Sequence, residues 1–449
     1  MHDAIGAYHD ILASGDVGAA THEALDAQLR RRDLVFGDRP LSTVLRPRFI
    51  APDELRTLRR RLRPLMRAFG KAHERAIVDA SFRAQFGMLD WEESLLDADP
   101  GFRTASPTSR LDLFYIPETG EMGLTEYNGE TPAGAAFSDA LSDAFLDLPA
   151  MRIFARDWEV SPIPARHGVT GALLDAWREF SGTRQAPRIA ILDWLDVPTR
   201  REFELFQEHF RSIGIECVIE DPRQCELRNG KLMVAGKPAD LIYKRVLISE
   251  LIAQCGIESD VVRAVRERAV CMVNPFRCKI LHKKASLAVL SDESNASLFD
   301  AEELEAIHRC IPWTRVVRER RSTYDGKSID LVPYVLEHRE QLVLKPNDEY
   351  GGTGIVLGWT VDDSTWRDAV RHALSEPYIV QQKVRIPKEP YPSWENGGLS
   401  VYDRMLDTAP FVTNGDYIEG FLSRLSTADL LNVTAGGGST VPTYVVERR

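Results

Sequence analysis

Lys345 closes an apolar run, Leu342 to Leu344, and opens the segment KPNDEYGGTG, residues 345–354. A lysine held by a strand supplies a point positive charge. Glycines let backbone N–H groups approach an anion with no Cβ in the way. Lys345 with Gly351, Gly352, Thr353 and Gly354 therefore reads as a cradle for phosphates. Far upstream, RLDLFYIPETGEMGLTEYNGETPAG (residues 110–134) alternates in polarity, turns at Pro117–Glu121 and alternates again. Residues two apart on a strand share a face, which pairs Arg110 with Asp112 and Glu126 with Asn128. Across a hairpin these pairs converge into two carboxylates, an amide oxygen and a guanidinium. Hard oxygen donors of that kind suit Mg²⁺ bound together with nucleotide phosphates, and an arginine beside them can grip a phosphoryl group with two N–H donors. The same pattern also fits a surface hairpin with an ordinary salt bridge.

Three further segments carry weaker signals. In HKKASLAVL (His282 to Leu290) two lysines open an apolar helix, where the dipole disfavours them unless an anion is near; a plainly solvated pair reads the same way. YIVQQKV places Gln381 and Gln382 at the end of a strand, where amide or backbone groups can meet the edge of adenine, or where the strand is simply buried. SRLSTADLLNVTAGGGS combines Arg424, Asn432 and a glycine triplet, which suits either close approach of backbone to a ligand or a mobile loop.

The chain that must position these groups has 449 residues, 44% of them hydrophobic and 27% charged, with a formal net charge of −11. That length supports several sizeable cores, and the acidic balance argues against a nucleic-acid-binding surface. Six cysteines lie scattered without CxxC pairing, which favours reduced thiols in a cytoplasmic protein. The N-terminal stretch lacks the basic start and apolar core of a signal peptide. No apolar run approaches the roughly 20 residues of a membrane span.

Residues 1–104 read as a helical N-terminal region. From Pro52 to Phe82 a stripe of Leu55, Leu58, Leu62, Leu65, Met66 and Phe69 predicts a helix, with Asp53 as N-cap, a kink or break at Pro64 and a solvated arginine face. Residues 105–150 hold the hairpin and a small-residue helix, Phe137 to Phe145. Residues 151–270 contain a strand–helix–strand pattern, predicting a small three-layer α/β unit with strands at Arg188–Trp194, Gly214–Asp221 and Ala239–Val246. Residues 271–340 and 341–449 are mixed and strand-rich. The proline-bearing stretch Pro387 to Gly398 reads as a stiff loop.

In combination the motifs resemble the ATP-grasp superfamily in its circularly permuted form, typified by the synthetase domain of glutathionylspermidine synthase. EYNGETP (Glu126 to Pro132) is similar to that family's E-x-N-x-x-(S/T)-P magnesium strand, preceded by R-x-D at Arg110 and Asp112. KKAS is similar to its N-K-A motif, with Lys284 as the lysine and Lys283 in place of the asparagine. VLKPNDEYGGTG is similar to its second nucleotide-lysine loop, and Gln381–Gln382 fall where its adenine hinge lies. The magnesium strand precedes the lysine loop here, the reverse of the unpermuted order. The resemblance spans roughly residues 105–449.

The resemblance implies an α/β (α+β) ATP-grasp fold with a pre-ATP-grasp-like unit, using ATP and Mg²⁺ to join a carboxylate to an amine through an acylphosphate. Asp112, Glu126 and Asn128 would hold Mg²⁺. Lys284 and Lys345 would neutralise phosphates, with Gly351 to Gly354 as a lid, and Gln381, Gln382 and Asn432 would complete the nucleotide site. Arg110 and Arg424 would serve the reacting groups, and Glu130 and Thr131 would touch substrate. The partners expected are small molecules, an amino acid, peptide or polyamine among them, with no nucleic acid and no membrane. A phosphotransferase acting on a hydroxyl and a non-catalytic ATP-binding protein are the competing readings. The N-terminal region and the Pro387–Gly398 stretch are expected to shape the substrate pockets.

Overall fold

In the computed structural model, which describes residues 1–36, 39–349, 351–427 and 438–449, the hairpin forms as expected from its alternation. Its strands run Thr108–Ile116 and Glu121–Asn128, antiparallel, with Arg110 opposite Asn128 and Asp112 opposite Glu126. The register slips between Asp112 and Leu113, leaving Thr125 as an extra residue on the second strand. The hairpin lies at one edge of a seven-stranded antiparallel sheet whose other strands come from the C-terminal part: Ala409–Thr413 pairs with Thr108–Ile116, and Tyr417–Ser426 lies next.

One face of the hairpin is apolar. Leu111, Leu124 and Tyr127 pack against Leu58, Leu62, Leu65 and Phe69 of the long helix Pro52–Val78, and Phe69 and Tyr127 place their rings 4.7 Å apart. That helix is the one predicted, ending at Val78 and with three further corrections. Its N-cap is Ala51, because Pro52 at the first helical position has its φ preset. Asp53 then sits in the first turn, where its negative charge is favoured by the helix dipole and meets Arg56. The helix also runs unbroken through the buried Pro64. Two of its arginines are not simply solvated: Arg61 donates to Gly120 O at the hairpin turn, and Arg59 to Ile418 O at 3.1 Å.

The lysine strand, Leu342–Pro346, is fully buried and lies in a second antiparallel sheet between Tyr378–Gln382 and Val356–Leu357, with Thr314–Val316 beyond. The small α/β unit has a parallel sheet in the order Cys271–Val273, Leu241–Lys244, Ile189–Leu192, Cys217–Glu220. Its outermost strand, Cys271–Val273, is too short to stand out in the sequence. The helix Arg200–Ser212 covers the sheet.

The stretch expected to be a stiff loop is a strand. Lys388–Glu395 pairs with Gly398–Leu406 through Pro390 and Pro392. It lies at the sheet edge, where a residue without an N–H breaks no ladder. Arg48–Ile50, from the N-terminal region, pairs with the C-terminal strand Thr443–Arg448. Among the described residues no helix is long and apolar enough to cross a membrane, and the six cysteines are free.

Candidate active site

The polar face of the hairpin and the lysine strand line one cleft of about 220 Å³. Arg110, Asp112, Glu126 and Asn128 come from the hairpin, Lys345, Gly351 and Gly352 from the lysine segment, and Gln381 and Gln382 from the neighbouring strand. Phe114, Val343, Leu357, Trp359, Val384 and Ile386 make the other end apolar. A site of this build, one end charged and the other greasy, matches a molecule with an ionised tail and a flat apolar head.

Lys345 is 8% exposed. Its Nζ donates to the carbonyl of Thr125 at 3.0 Å and to Gln381 Oε1 at 2.7 Å. The first acceptor is the carbonyl of the bulged residue, a group that the slipped register frees from the hairpin ladder. Burial pushes the Lys345 ammonium down to about 8, with Lys284 adding to the effect and Glu126 and Asp112 opposing it. Lys284 is also buried; its Nζ lies 3.3 Å from Glu126 Oε1 and donates to Glu349 O at 2.6 Å. The helix-opening lysines are thus desolvated and paired, not solvated.

Asp112 is held by two arginines. Arg110 forks onto it, Nε to Oδ1 at 2.6 Å and an Nη to Oδ2 at 3.0 Å. An Nη of Arg424 reaches Oδ2 at 2.9 Å. Burial alone would raise the Asp112 carboxyl, but the two guanidiniums overcome it and hold the group well below the usual range. Arg424 is clamped from its other side by Asp407, which accepts Nε at 2.6 Å and the Arg424 backbone N–H at 2.6 Å. Asp407 lines the cleft yet is 2% exposed, and burial raises its carboxyl despite Arg424.

The donor set suits Mg²⁺ on one observation besides residue type. Asn128 Oδ1 is buried with no hydrogen-bond partner among the described residues, beside the partly exposed Glu126 and on the face that carries Asp112. An orphaned amide oxygen of this kind costs about 1–3 kcal/mol unless something fills it, and a hard cation bridging phosphates would do so.

The remaining expected residues are distributed differently. Gly351 and Gly352 take φ of +67° and +83°, which side chains resist, and face the cleft. Thr353 and Gly354 turn away to a second hollow with Pro346 and Tyr378. Gln381 spends its side chain inside the sheet, on Lys345 and on Thr314 Oγ1 at 3.0 Å, so it orients the lysine. Asn432 lies outside the described residues.

Glu130, four positions after Glu126, is 0% exposed and does not line the cleft. Its carboxylate accepts from Ile248 N at 2.5 Å and lies 3.1 Å from Lys279 and 3.6 Å from Lys244. Asp348, in the lysine segment, joins the same cluster through Lys279 at 2.7 Å and Lys283 at 3.3 Å, and Lys283 meets Glu92 at 2.9 Å. Glu130, His282 and Asp348 lie close enough to share a metal ion. The ammonium groups of Lys244, Lys279 and Lys283 already occupy that role, so the cluster is an ion-pair network. The loop after it is also tied to the α/β unit: Arg245 donates to Pro132 O at 2.7 Å, and Glu202 accepts from Gly134 N at 2.7 Å. Thr131, between these anchors, is half-buried.

Sequence reasoning missed Asp407 and Trp359. Asp407 follows a strand in an unremarkable RMLDTAP context, and only the pairing of Tyr417–Ser426 beside it brings it to Arg424. Trp359 lines the apolar end, with the Lys383 ammonium 4.0 Å from its ring centroid.

The fold is shared with the glutathione synthetase like-effector from Globodera pallida in apoform, at 14% identity and a TM-score of 0.57 over 96% of this chain and 98% of that one. D-alanyl-alanine synthetase A from Vibrio cholerae aligns at 13% identity and a TM-score of 0.25, over 50% of this chain and 67% of that one. No protein-family model and no curated protein matches the chain. The first likeness speaks to architecture alone, a mixed α/β fold shared over nearly the whole of both chains. It does not single out the glutathionylspermidine synthase branch.

Proposed function

We propose that the protein is an ATP-dependent carboxylate–amine ligase of the circularly permuted ATP-grasp type. The observation that carries this reading is the single cleft shared by the hairpin of residues 108–128 and the lysine segment more than two hundred positions later. A hairpin from early in the chain lying beside C-terminal strands is the order a permuted chain would give.

In this reading Val343, Leu357 and Trp359 receive the adenine, and Lys345 and Lys284 face the phosphates. Mg²⁺ held by Asp112, Glu126 and Asn128 would offset charge on the phosphate oxygens. A carboxylate oxygen of the first substrate attacks the γ-phosphorus and releases ADP, which leaves an acylphosphate. The amine nitrogen of the second substrate then attacks the acyl carbon, and inorganic phosphate departs. Arg110 and Arg424 lie where they can steady the oxyanions in both steps. Phosphoryl transfer asks the protein chiefly for positioning and electrostatics, which is what this set of fixed charges supplies. Gly351 and Gly352 form the wall through which water must be kept from the acylphosphate.

The test is an ADP-release screen with Mg-ATP against amino acids, short peptides and polyamines, with Lys345→Ala as control. A ligase releases phosphate only when carboxylate and amine are both present. ADP formation that needs a hydroxyl acceptor and yields no free phosphate would replace this reading by that of a phosphotransferase. Equal turnover by the control would remove the nucleotide assignment altogether.

A further inference from the structure

We infer that binding of an oxyanion at Arg110 and Arg424 and binding of a divalent cation at Asp112 reinforce each other, with Asp407 as the positioning residue that allows the exchange. The inference rests on the ligase reading for the identity of the two ligands, and on geometry for the coupling.

Both oxygens of Asp112 are taken by guanidinium N–H groups. A cation at the Asp112–Glu126–Asn128 face therefore needs Asp112 to give up at least one arginine contact. The two arginines are not equally free to be given up. Arg424 keeps Asp407, which holds both its guanidinium and its backbone N–H. Among the described residues Arg110 has no carboxylate besides Asp112 within salt-bridge distance, and its other acceptor is the carbonyl of Ala133 at 2.7 Å. Glu202 is within electrostatic range, but its Oε1 is engaged by the N–H groups of Gly134 and Ala136 and its Oε2 faces the Arg245 guanidinium at 3.5 Å. Arg110 is 6% exposed, and a desolvated guanidinium left without a counter-ion is strongly unfavourable.

An incoming carboxylate or phosphate resolves that conflict. It replaces Asp112 as the counter-ion of Arg110, and Asp112 becomes available to the metal. The charges agree: Arg110 and Arg424 balance Asp112 and Asp407, so handing Asp112 to a cation leaves one positive charge for an anion. Asp407 cannot follow Asp112, because it is almost wholly buried and is bonded to the Arg424 backbone. It keeps Arg424 in place throughout.

The experiment measures Mn²⁺ binding by electron paramagnetic resonance on the full chain without nucleotide. It is done alone, with inorganic phosphate and with acetate, at matched free Mn²⁺. The expected result is that at least one of the two anions tightens Mn²⁺ binding by about five-fold or more, the low end of ordinary couplings, and that Mn²⁺ tightens that anion by the same factor. Phosphate acting alone identifies a phosphoryl cradle, and acetate acting alone a carboxylate cradle. Asp407→Asn should weaken Mn²⁺ binding in the absence of anion, since Arg424 then leans wholly on Asp112, and should enlarge the anion effect. Asp407→Glu should restore the parent behaviour, which a merely structural role would not do. Mn²⁺ binding unaffected by either anion, no Mn²⁺ binding in any condition, or a tightening that survives Arg110→Met would overturn the inference. The parent protein alone decides the first two, even if Asp407→Asn does not fold. Because no turnover is involved, a protein that shows the coupling but ligates nothing would sink the ligase reading and leave the coupling standing.

Discussion

Two charged clusters flank the lysine segment, and they differ in what they leave over. In the cleft, Arg110, Asp112, Arg424 and Asp407 lie beside an amide oxygen with no partner among the described residues and a lysine forced down to about 8 by burial. Behind it, Glu92, Glu130 and Asp348 interlock with Lys244, Lys279 and Lys283, three acids against three ammonium groups with no opening to the cleft. The first cluster is poised for ligands that complete it. The second pairs acid with ammonium throughout and joins the hairpin, the α/β unit and the lysine segment. Burial and charge density alone therefore do not separate a working site from a structural one. Access does: the first cluster lines the cleft that Lys345 enters, and the second does not.

The sharpest way to break the comparison is to remove one charge from each cluster. Lys345→Ala should lower ATP-dependent ADP release by about 10³-fold or more, the scale expected when a phosphate-facing charge is lost. The thermal midpoint should stay the same or rise, since a desolvated ammonium is removed. Glu130→Gln should do the reverse. It removes the carboxylate that Lys244 and Lys279 share in the interior, leaving Lys279 with Asp348 and Lys244 with the Val246 carbonyl, so denaturant unfolding should show a loss of about 3–5 kcal/mol. An intact midpoint for Glu130→Gln, with activity abolished, would mean that the two clusters have been assigned the wrong way round.

A finer probe is pH. In the free protein Lys345 is cationic below about 8 and neutral above it, and only the cation attracts phosphate. Affinity for Mg-ATP should accordingly fall as pH rises through 8, approaching ten-fold per unit, in calorimetric titrations between about pH 7.5 and about pH 9.5. Lys345→Arg should flatten that fall, because a guanidinium stays charged. Stability moves the other way. The lysine has its ordinary, higher pKa in the unfolded chain, so between the two values the unfolded state binds more protons and folding gains as pH rises. No counterpart is expected from Lys279, whose acidic neighbours outweigh burial and lift its ammonium further from neutrality.

The same comparison explains what was legible beforehand. The hairpin was readable because alternation with a period of two fixes which side chains share a face, and Arg110, Asp112, Glu126 and Asn128 follow from that alone. The lysine strand was readable from its apolar run and the positive-φ glycines behind it. What periodicity does not carry is which neighbour a side chain finds from another part of the chain. Glu130 sits in the same short motif as Glu126, yet Lys279 and Lys244 take it into the interior. Gln381 ends its strand as expected, yet it turns inward to Lys345. Pro390 and Pro392 suggest a loop, until the strand is found at a sheet edge where missing N–H groups do no harm. Asp407 gains its meaning only from Arg424, through a strand pairing with no local signature.

The smallest expected effect lies at the apolar end of the cleft, where no charge is at stake. Trp359 borders the cleft with Val343 and Leu357, and Lys383 sits 4.0 Å from its ring centroid. An aromatic face there would add stacking to an adenine already enclosed by aliphatic groups. Trp359→Leu keeps most of the apolar contact and removes the stacking, a difference of about 0.5–1.5 kcal/mol. Affinity for ATP should therefore weaken by only about two- to ten-fold, while the rate at saturating ATP stays near the parent value. Quenching of tryptophan emission by ATP should also fall in the variant. An unchanged affinity together with unchanged quenching would place the base elsewhere in the cleft. A collapse of the saturated rate would mean that Trp359 bears on the reacting phosphates, which would erase the division between an apolar end that binds and a charged end that reacts.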